Sequence, residues 1–170
     1  MNQKELIGKV HSAVYHQCQK RGYAAAVDVL MDMGVLSMQK YEDRRFGRVS
    51  YLESVCTVNL HKLNMILHEM NVCAKKVGLK PSFCFYKQWG VKKKGGQGHK
   101  PVIALRFSKS GNPVTEKMYA PHFVDSKRMA SIKSQGVSVF ENTLNQGKPC
   151  ATIKTEEGMN EHGHDDRPRS

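Results

Sequence analysis

The spacing of apolar residues changes near the middle of this chain, and that change limits the folds it can adopt. Over residues 52–77 apolar side chains recur at steps of three, four or seven, the period of an amphipathic helix. Beyond Gly78 they alternate one by one over 83–89 and 102–107, the period of a β-strand. We therefore expect an α+β fold, in which a long helix over about 51–77 packs on a small antiparallel sheet or hairpin.

The residues before this long helix predict a helical bundle. Apolar spacing indicates one helix over 3–20 that ends at Gly22, and a second, largely buried helix over 23–33. A Ser at position 37 is placed to cap a short third helix that runs through Phe46. These segments and the long helix form the helical part of the expected fold.

The beginning of the long helix carries its own signal. Ser50 and Glu53 have the spacing of a capping box, in which each side chain satisfies the exposed backbone N–H of the other residue. The apolar stripe that follows includes Leu63 and Leu67. We expect the helix to start at Ser50 and to bury these two leucines.

The alternating segments 82–89 and 101–108 predict a β-hairpin. Alternation places Phe83, Phe85 and Trp89 on the face that packs under the long helix, and it places Tyr86 on the opposite, more polar face.

Further along, two assignments stay open, because 115–119 can form a helical turn and 118–124 can form a third strand interrupted at Pro121. Residues 126–135 look weakly helical, and Val137 to Phe140 can add a short strand.

These elements indicate a single α+β domain over 1–140. Its helical part spans 1–78, its basic hairpin part spans 79–140, and residues 141–170 form a polar tail that we expect to be disordered. No apolar run approaches the roughly 20 residues that span a bilayer, and the N-terminus lacks an apolar signal region. We expect a cytoplasmic protein that does not contact membranes.

The five cysteines contain no CxxC or CxxxC pair. Such a set is typical of single reduced thiols, and it argues against a disulfide scaffold or a cysteine-based zinc module. No motif for a bound cofactor or metal is evident, so we expect neither.

Positive charge is concentrated in residues 70–115, which we call the acid-free block. These 46 residues contain ten Lys and Arg and no Asp or Glu, whereas the whole chain has a net charge of +12. A concentration of one sign attracts polyanions such as nucleic acid. The block therefore suggests nucleic acid as the partner, with DNA and RNA both open.

Lysines and glycines between Gly90 and Lys100 predict a mobile basic hairpin tip. Glycine lets a backbone approach a phosphate chain, and the point charge of lysine favours phosphate contact over base reading. A solvated tip whose lysines only keep a sheet edge soluble is the alternative. The candidate contacts in the block are Lys92, Lys93, Lys94, Lys100, Arg106 and Lys109.

A second basic cluster consists of Arg44, Arg45 and Arg48. If the helices that start at 23, 37 and 50 pack as a helix-turn-helix-like trio, these arginines can meet phosphates. Alternatively, they pair with Glu42, Asp43 and Glu53 in surface salt bridges worth ~0–1 kcal/mol each. No pattern of base-reading residues is evident, so we expect weak sequence specificity.

Tyr86 is the best candidate for stacking on an unpaired base, because alternation places it among basic residues on the polar face.

An enzyme would need a catalytic set, and the best one is Glu116, His122 and Asp125 in a small metal-dependent nuclease. The sequence contains no HExxH, HNH-like or P-loop arrangement. A partly buried structural role between Pro121 and Phe123 explains His122 better than catalysis does, so we expect no nuclease activity.

Taken together, these features favour a nucleic-acid-binding protein, used as an accessory factor of nucleic-acid metabolism or of a mobile element. The nuclease is one alternative. A protein-interaction module whose basic loop docks an acidic partner is the other.

Overall fold

The structure is a computed structural model that describes residues 1–93, 95 and 98–135. The strand predicted over 137–140, the tail predicted over 141–170 and the position of Lys94 lie outside the described residues.

The first helix, α1 (Gln3–Arg21), forms as the sequence predicts. Its N-cap is Asn2, whose side-chain oxygen accepts a hydrogen bond from the backbone N–H of Glu5 at 2.8 Å. It ends at Gly22, which has a φ of +83° and whose N–H donates to the carbonyl of Cys18. Glycine is favoured there because it enters the left-handed region without a steric penalty.

The other elements follow in chain order, and a 3-10 helix precedes α4. They are β1 (Tyr23–Ala25), α2 (Ala26–Asp32), α3 (Met38–Arg45), the 3-10 helix Leu52–Val55, α4 (Leu60–Lys76), β2 (Lys80–Phe83), α5 (Pro113–Tyr119), β3 (Pro121–Val124) and α6 (Ser126–Ser134). The fold is α+β, since the helices pack on a three-stranded antiparallel sheet.

The sheet has the strand order β1-β3-β2, so the last strand in sequence is the central one. Ala24 pairs with Phe123 on one side, and Ser82 pairs with His122 on the other. The helix predicted over 23–33 is therefore wrong in its first three residues, which form β1. Small alanines suit a helix, but here pairing with a strand about 100 residues away decides the conformation.

The long helix begins later than predicted. Residues 52–55 form only the 3-10 helix, and α4 starts after Asn59, whose side-chain oxygen accepts from the N–H of Lys62 at 3.0 Å. The capping box predicted at Ser50 does not form. Leu63 and Leu67 are buried, as the stripe predicts.

Glu53 is diverted from that capping box to other partners. Its carboxylate accepts from the backbone N–H of Lys109 at 3.0 Å and from the hydroxyl of Tyr119 at 3.1 Å. These contacts tie the 3-10 helix to the turn before α5 and to α5 itself.

The predicted hairpin is present only as a short antiparallel contact. The N–H of Leu105 donates to the carbonyl of Tyr86 at 2.9 Å, and the N–H of Gln88 donates to that of Ile103 at 2.8 Å. Strand β2, just before this contact, pairs with β3 instead. The prediction of a hairpin between 82–89 and 101–108 is therefore wrong in extent.

The face assignment along 83–89 is also wrong. Phe83 and Phe85 are exposed, and Tyr86 is buried with 7% of its surface exposed. Aromatic residues stand on both faces of this segment, so alternation alone could not show which face is inside.

The helical turn and the strand that the sequence left open after residue 113 are both present, one after the other. Helix α5 covers Pro113–Tyr119, β3 follows over Pro121–Val124, and α6 confirms the helix predicted near 126–135.

The core lies between α1, α2, α4 and the sheet. Buried residues include Val10 and Val14 of α1, Leu30 of α2, and Ile66 of α4. Among the described residues, Cys18, Cys56, Cys73 and Cys84 form no disulfide bond. In the part of the chain that the structure describes, every helix is too short or too polar to cross a membrane.

The helix start can be tested with a pair of cap substitutions. Asn59→Ala should lower the free energy of unfolding by about 1 kcal/mol, because it removes the acceptor for the N–H of Lys62. Ser50→Ala should change it by less than about 0.5 kcal/mol, as at an ordinary surface position. Urea denaturation measures both, and a larger loss for Ser50→Ala would contradict the observed start of α4.

Candidate nucleic-acid interface

The described cations of the acid-free block all lie at the surface. They are Lys75, Lys76, Lys80, Lys87, Lys92, Lys93, Lys100, Arg106 and Lys109. The ion pairs among the described residues join Lys9 to Glu5, His11 to Glu69, Arg21 to Asp28, and Arg48 to Asp43. In the described part of the chain, none of the nine block cations therefore has a carboxylate partner.

Glu116, which directly follows the block in sequence, is engaged elsewhere. Glu116 accepts from the backbone N–H groups of Phe107 at 2.9 Å and Ser108 at 2.8 Å, and from the Ser108 hydroxyl at 2.6 Å. Partial burial by itself would raise the pKa of Glu116, but these hydrogen bonds outweigh it and lower the pKa. Glu116 is an ionised anchor of the turn after residue 106, and it does not neutralise the lysines.

Arg106 is exposed and also stabilises that turn. Its guanidinium donates to the carbonyl of Ser108 at 3.2 Å and to the carbonyl of Lys109. The guanidinium thus has N–H donors left for a phosphate, but these two hydrogen bonds hold it in place.

Arg44 and Arg45 do not lie at the surface, and the exposed position expected for them is wrong. Only 0% and 2% of their surfaces are exposed. The Arg44 guanidinium lies 4.4 Å from the ring centroid of Phe107 and 5.7 Å from that of Tyr86. Arg45 lies 4.3 Å from Trp89 and 5.5 Å from Tyr86. A phosphate cannot reach either arginine in this fold.

These two arginines, which we call the buried arginine pair, have few polar partners. Arg44 Nε donates to the carbonyl of Arg106 at 3.3 Å. Both terminal nitrogens of Arg44, and Nε and Nη1 of Arg45, have no hydrogen-bond partner among the described residues. Burial lowers the pKa of Arg44 to about 10, so it stays charged at neutral pH. The faces of aromatic rings, and not an ion-paired carboxylate, therefore lie against the two guanidinium groups.

Arg48 is the exposed member of the basic cluster, with 64% of its side chain accessible. It pairs with Asp43 at 3.0 Å, which is one of the surface salt bridges given above as the alternative. The helix-turn-helix-like trio does not form, because a 3-10 helix occupies the place of the third helix.

Tyr86 is unsuited to the stacking role predicted for it. Its ring packs edge-on against Phe107 with centroids 5.2 Å apart, and its hydroxyl lies 3.1 Å from Nε2 of His122. Burial leaves no ring face for a base.

The proposed nuclease residues have separate structural roles. Glu116 anchors its turn, Asp125 caps α6 by accepting from the N–H of Arg128 at 3.0 Å, and His122 stacks on Tyr23 with centroids 5.1 Å apart. Among residues 1–93, 95 and 98–135 no group of three or more His, Cys, Asp or Glu is placed to hold a metal ion. The geometry gives the nuclease alternative no catalytic centre in that part of the chain.

One surface residue was missed at the sequence level. Phe46, directly after α3, has 45% of its surface exposed and meets Trp89 edge-on with centroids 5.7 Å apart. Its position between arginines and before Gly47 is visible in the sequence, but the interpretation of this cluster used only the charges of the arginines.

No family model, curated protein or solved structure matches this chain. The function must therefore be argued from the residues themselves.

The half-buried His122 should make stability depend on pH. Burial lowers the pKa of His122 to about 4, so the folded chain holds it neutral while the unfolded chain protonates it near pH 6.5. The stabilisation is complete above pH 6.5 and is lost as the pH falls toward 4.

Between pH 7 and pH 5 the wild type should lose about 2 kcal/mol more unfolding free energy than His122→Asn, which does not titrate. Urea denaturation at both pH values measures this difference. Parallel losses in the two proteins would contradict the placement of His122.

Proposed function

We propose that this protein binds nucleic acid, mainly through phosphate contacts made by exposed cations of the acid-free block. The observation that carries the proposal is that nine described cations of this block are exposed and have no carboxylate partner among the described residues. Unpaired surface cations repel one another, and a polyanion relieves that repulsion.

Lysine predominates among these cations, since eight of the nine are Lys and one is Arg106. A lysine contacts phosphate as a point charge and imposes no bidentate geometry on a base. The proposed binding therefore has weak sequence preference and depends steeply on salt.

Two carboxylates that contact residues of the block support the same proposal. Glu53 and Glu116 direct their oxygens to backbone N–H and hydroxyl donors, so they leave the lysines uncompensated. An accessory role in nucleic-acid metabolism or in a mobile element, in the cytoplasm, suits such a binder by its size and charge.

A docking module for an acidic protein would use the same charges. The absorbance of the purified protein distinguishes the two functions. Bound nucleic acid raises the ratio of absorbance at 260 nm to that at 280 nm, and a protein partner does not.

Salt dependence tests the proposed phosphate contacts. If four to six phosphates are engaged, the slope of log K against log[salt] on duplex DNA should be roughly −4 to −5. Replacement of Lys92, Lys93 and Lys100 by Ala should make that slope less steep by about 2 to 3 and weaken binding to unrelated sequences by a similar factor. Fluorescence anisotropy over a salt series measures both quantities.

A matched control removes the same charge elsewhere. Lys4, Lys20 and Lys127 are exposed lysines outside the block and have no ion pair among the described residues. Their triple Ala variant should retain the wild-type slope. A slope near zero for the wild type, or equal losses in the two triple variants, would overturn the proposal.

A further inference from the structure

We propose that the ligand is single-stranded nucleic acid and that one unpaired base stacks on Phe46. This inference rests on the proposed function and narrows it to a class of substrate. It depends on three features of the surface around Phe46: a fixed exposed ring, its attachment to the start of residues 89–106, which we call the basic segment, and the charge beside it.

The Phe46 ring is exposed but held in place. Its backbone N–H donates to the carbonyl of Glu42 at 2.9 Å, which fixes the residue at the end of α3. The ring meets Trp89 at an interplanar angle of 78°. Trp89 is held in turn by Arg45 on its face and by Tyr41 at its edge. A rigid ring loses little conformational entropy when a base packs on it.

The end of α3 is joined directly to the start of the basic segment. The N–H of Trp89 donates to the carbonyl of Arg45 at 2.6 Å. A Cβ on Gly90 would lie 3.4 Å from Cδ1 of Phe46, so the chain passes close to the ring before it leads to Lys92 and Lys93.

Gly47 makes the close approach of these two segments possible. Its φ of +74° favours glycine, and a Cβ there would lie 2.6 Å from the terminal amide of Gln88, which would have to move away. The Phe46 ring therefore lies close to the segment that leads to Lys92 and Lys93.

Positive charge stands beside the ring as well. The Arg48 guanidinium lies over one face of the Phe46 ring, 5.3 Å from its centroid, which leaves the other face for a base. Lys92 and Lys93 are exposed two and three residues after Gly90. An exposed aromatic ring next to a positively charged surface is the combination that proteins use to hold unpaired bases and the phosphates between them.

An unpaired strand is favoured over a duplex by the geometry of stacking. Bases in a duplex already stack on each other and present only their edges in the grooves, whereas an unpaired base has a free face. An acidic protein would complement the charge of the lysines, but its carboxylates would make no specific contact with the face of an aromatic ring.

The chain carries its own reporter, since Trp89 is its only tryptophan and lies against Phe46. The experiment compares an oligothymidylate with a mixed-sequence duplex of equal phosphate count. Tryptophan fluorescence should be quenched by the oligothymidylate and less by the duplex. Anisotropy of labelled strands then gives the affinities.

Phe46→Ala should weaken oligothymidylate binding roughly 5- to 150-fold, and duplex binding should change less than about 2-fold. Phe46→Tyr keeps a ring and should retain wild-type binding. Tyr15→Ala is the matched control, because it removes another exposed aromatic residue, on α1, and should alter neither affinity.

The outcomes separate this inference from the proposed function. If the wild type binds neither strand nor duplex at low salt, nucleic-acid binding itself is wrong. If it binds both and Phe46→Ala weakens neither, or weakens both equally, stacking on Phe46 is wrong and phosphate binding stands. If Phe46→Ala weakens the binding of polyglutamate as much as it weakens the binding of the oligothymidylate, the stacking inference is wrong and an acidic protein partner is favoured.

Discussion

The buried arginine pair is the constraint on which the surface around the basic segment depends. Burial of an ionised group costs several kcal/mol unless other groups compensate it, and among the described residues no carboxylate forms an ion pair with either guanidinium. Compensation comes from the faces of Phe107, Tyr86 and Trp89 and from one backbone carbonyl. Each desolvated contact between a guanidinium and a ring contributes about 2 kcal/mol or more.

The same pair joins elements that are distant in sequence. The carbonyl of Arg106 accepts from Arg44 Nε and from the N–H of Leu52, and the carbonyl of Arg45 accepts from the N–H of Trp89. Helix α3, the 3-10 helix and both ends of the basic segment therefore meet at one point. These contacts anchor Phe46 beside the segment that leads to Lys92 and Lys93.

Elements that depend on neighbouring residues could be predicted well from the sequence, and elements that depend on pairing with distant residues could not. Helix α1 and the cap at Ser37 follow from nearby residues, and both are confirmed, as is the burial of Leu63. Strand β1 was missed because its partner, β3, is about 100 residues away. Nothing in the alanines of β1 signals that partner.

The candidate site shows the same limit. Arg44 and Arg45 are indistinguishable from Arg48 in sequence, yet they are buried and Arg48 is exposed. Burial of an arginine requires aromatic rings supplied from residues 41 to 107, and this assembly is visible only in three dimensions. The exposure of the block lysines, in contrast, follows from composition, since a stretch without carboxylates offers no internal partners.

The most direct measurement of the central claim is a footprint of lysine reactivity. The full chain is acetylated at low salt with and without saturating oligothymidylate, and each lysine is quantified by mass spectrometry. The account predicts that Lys92, Lys93, Lys100 and Lys109 lose reactivity on binding, while Lys4, Lys20 and Lys127 keep it. Equal protection of all these lysines, or no protection at all, would contradict the account.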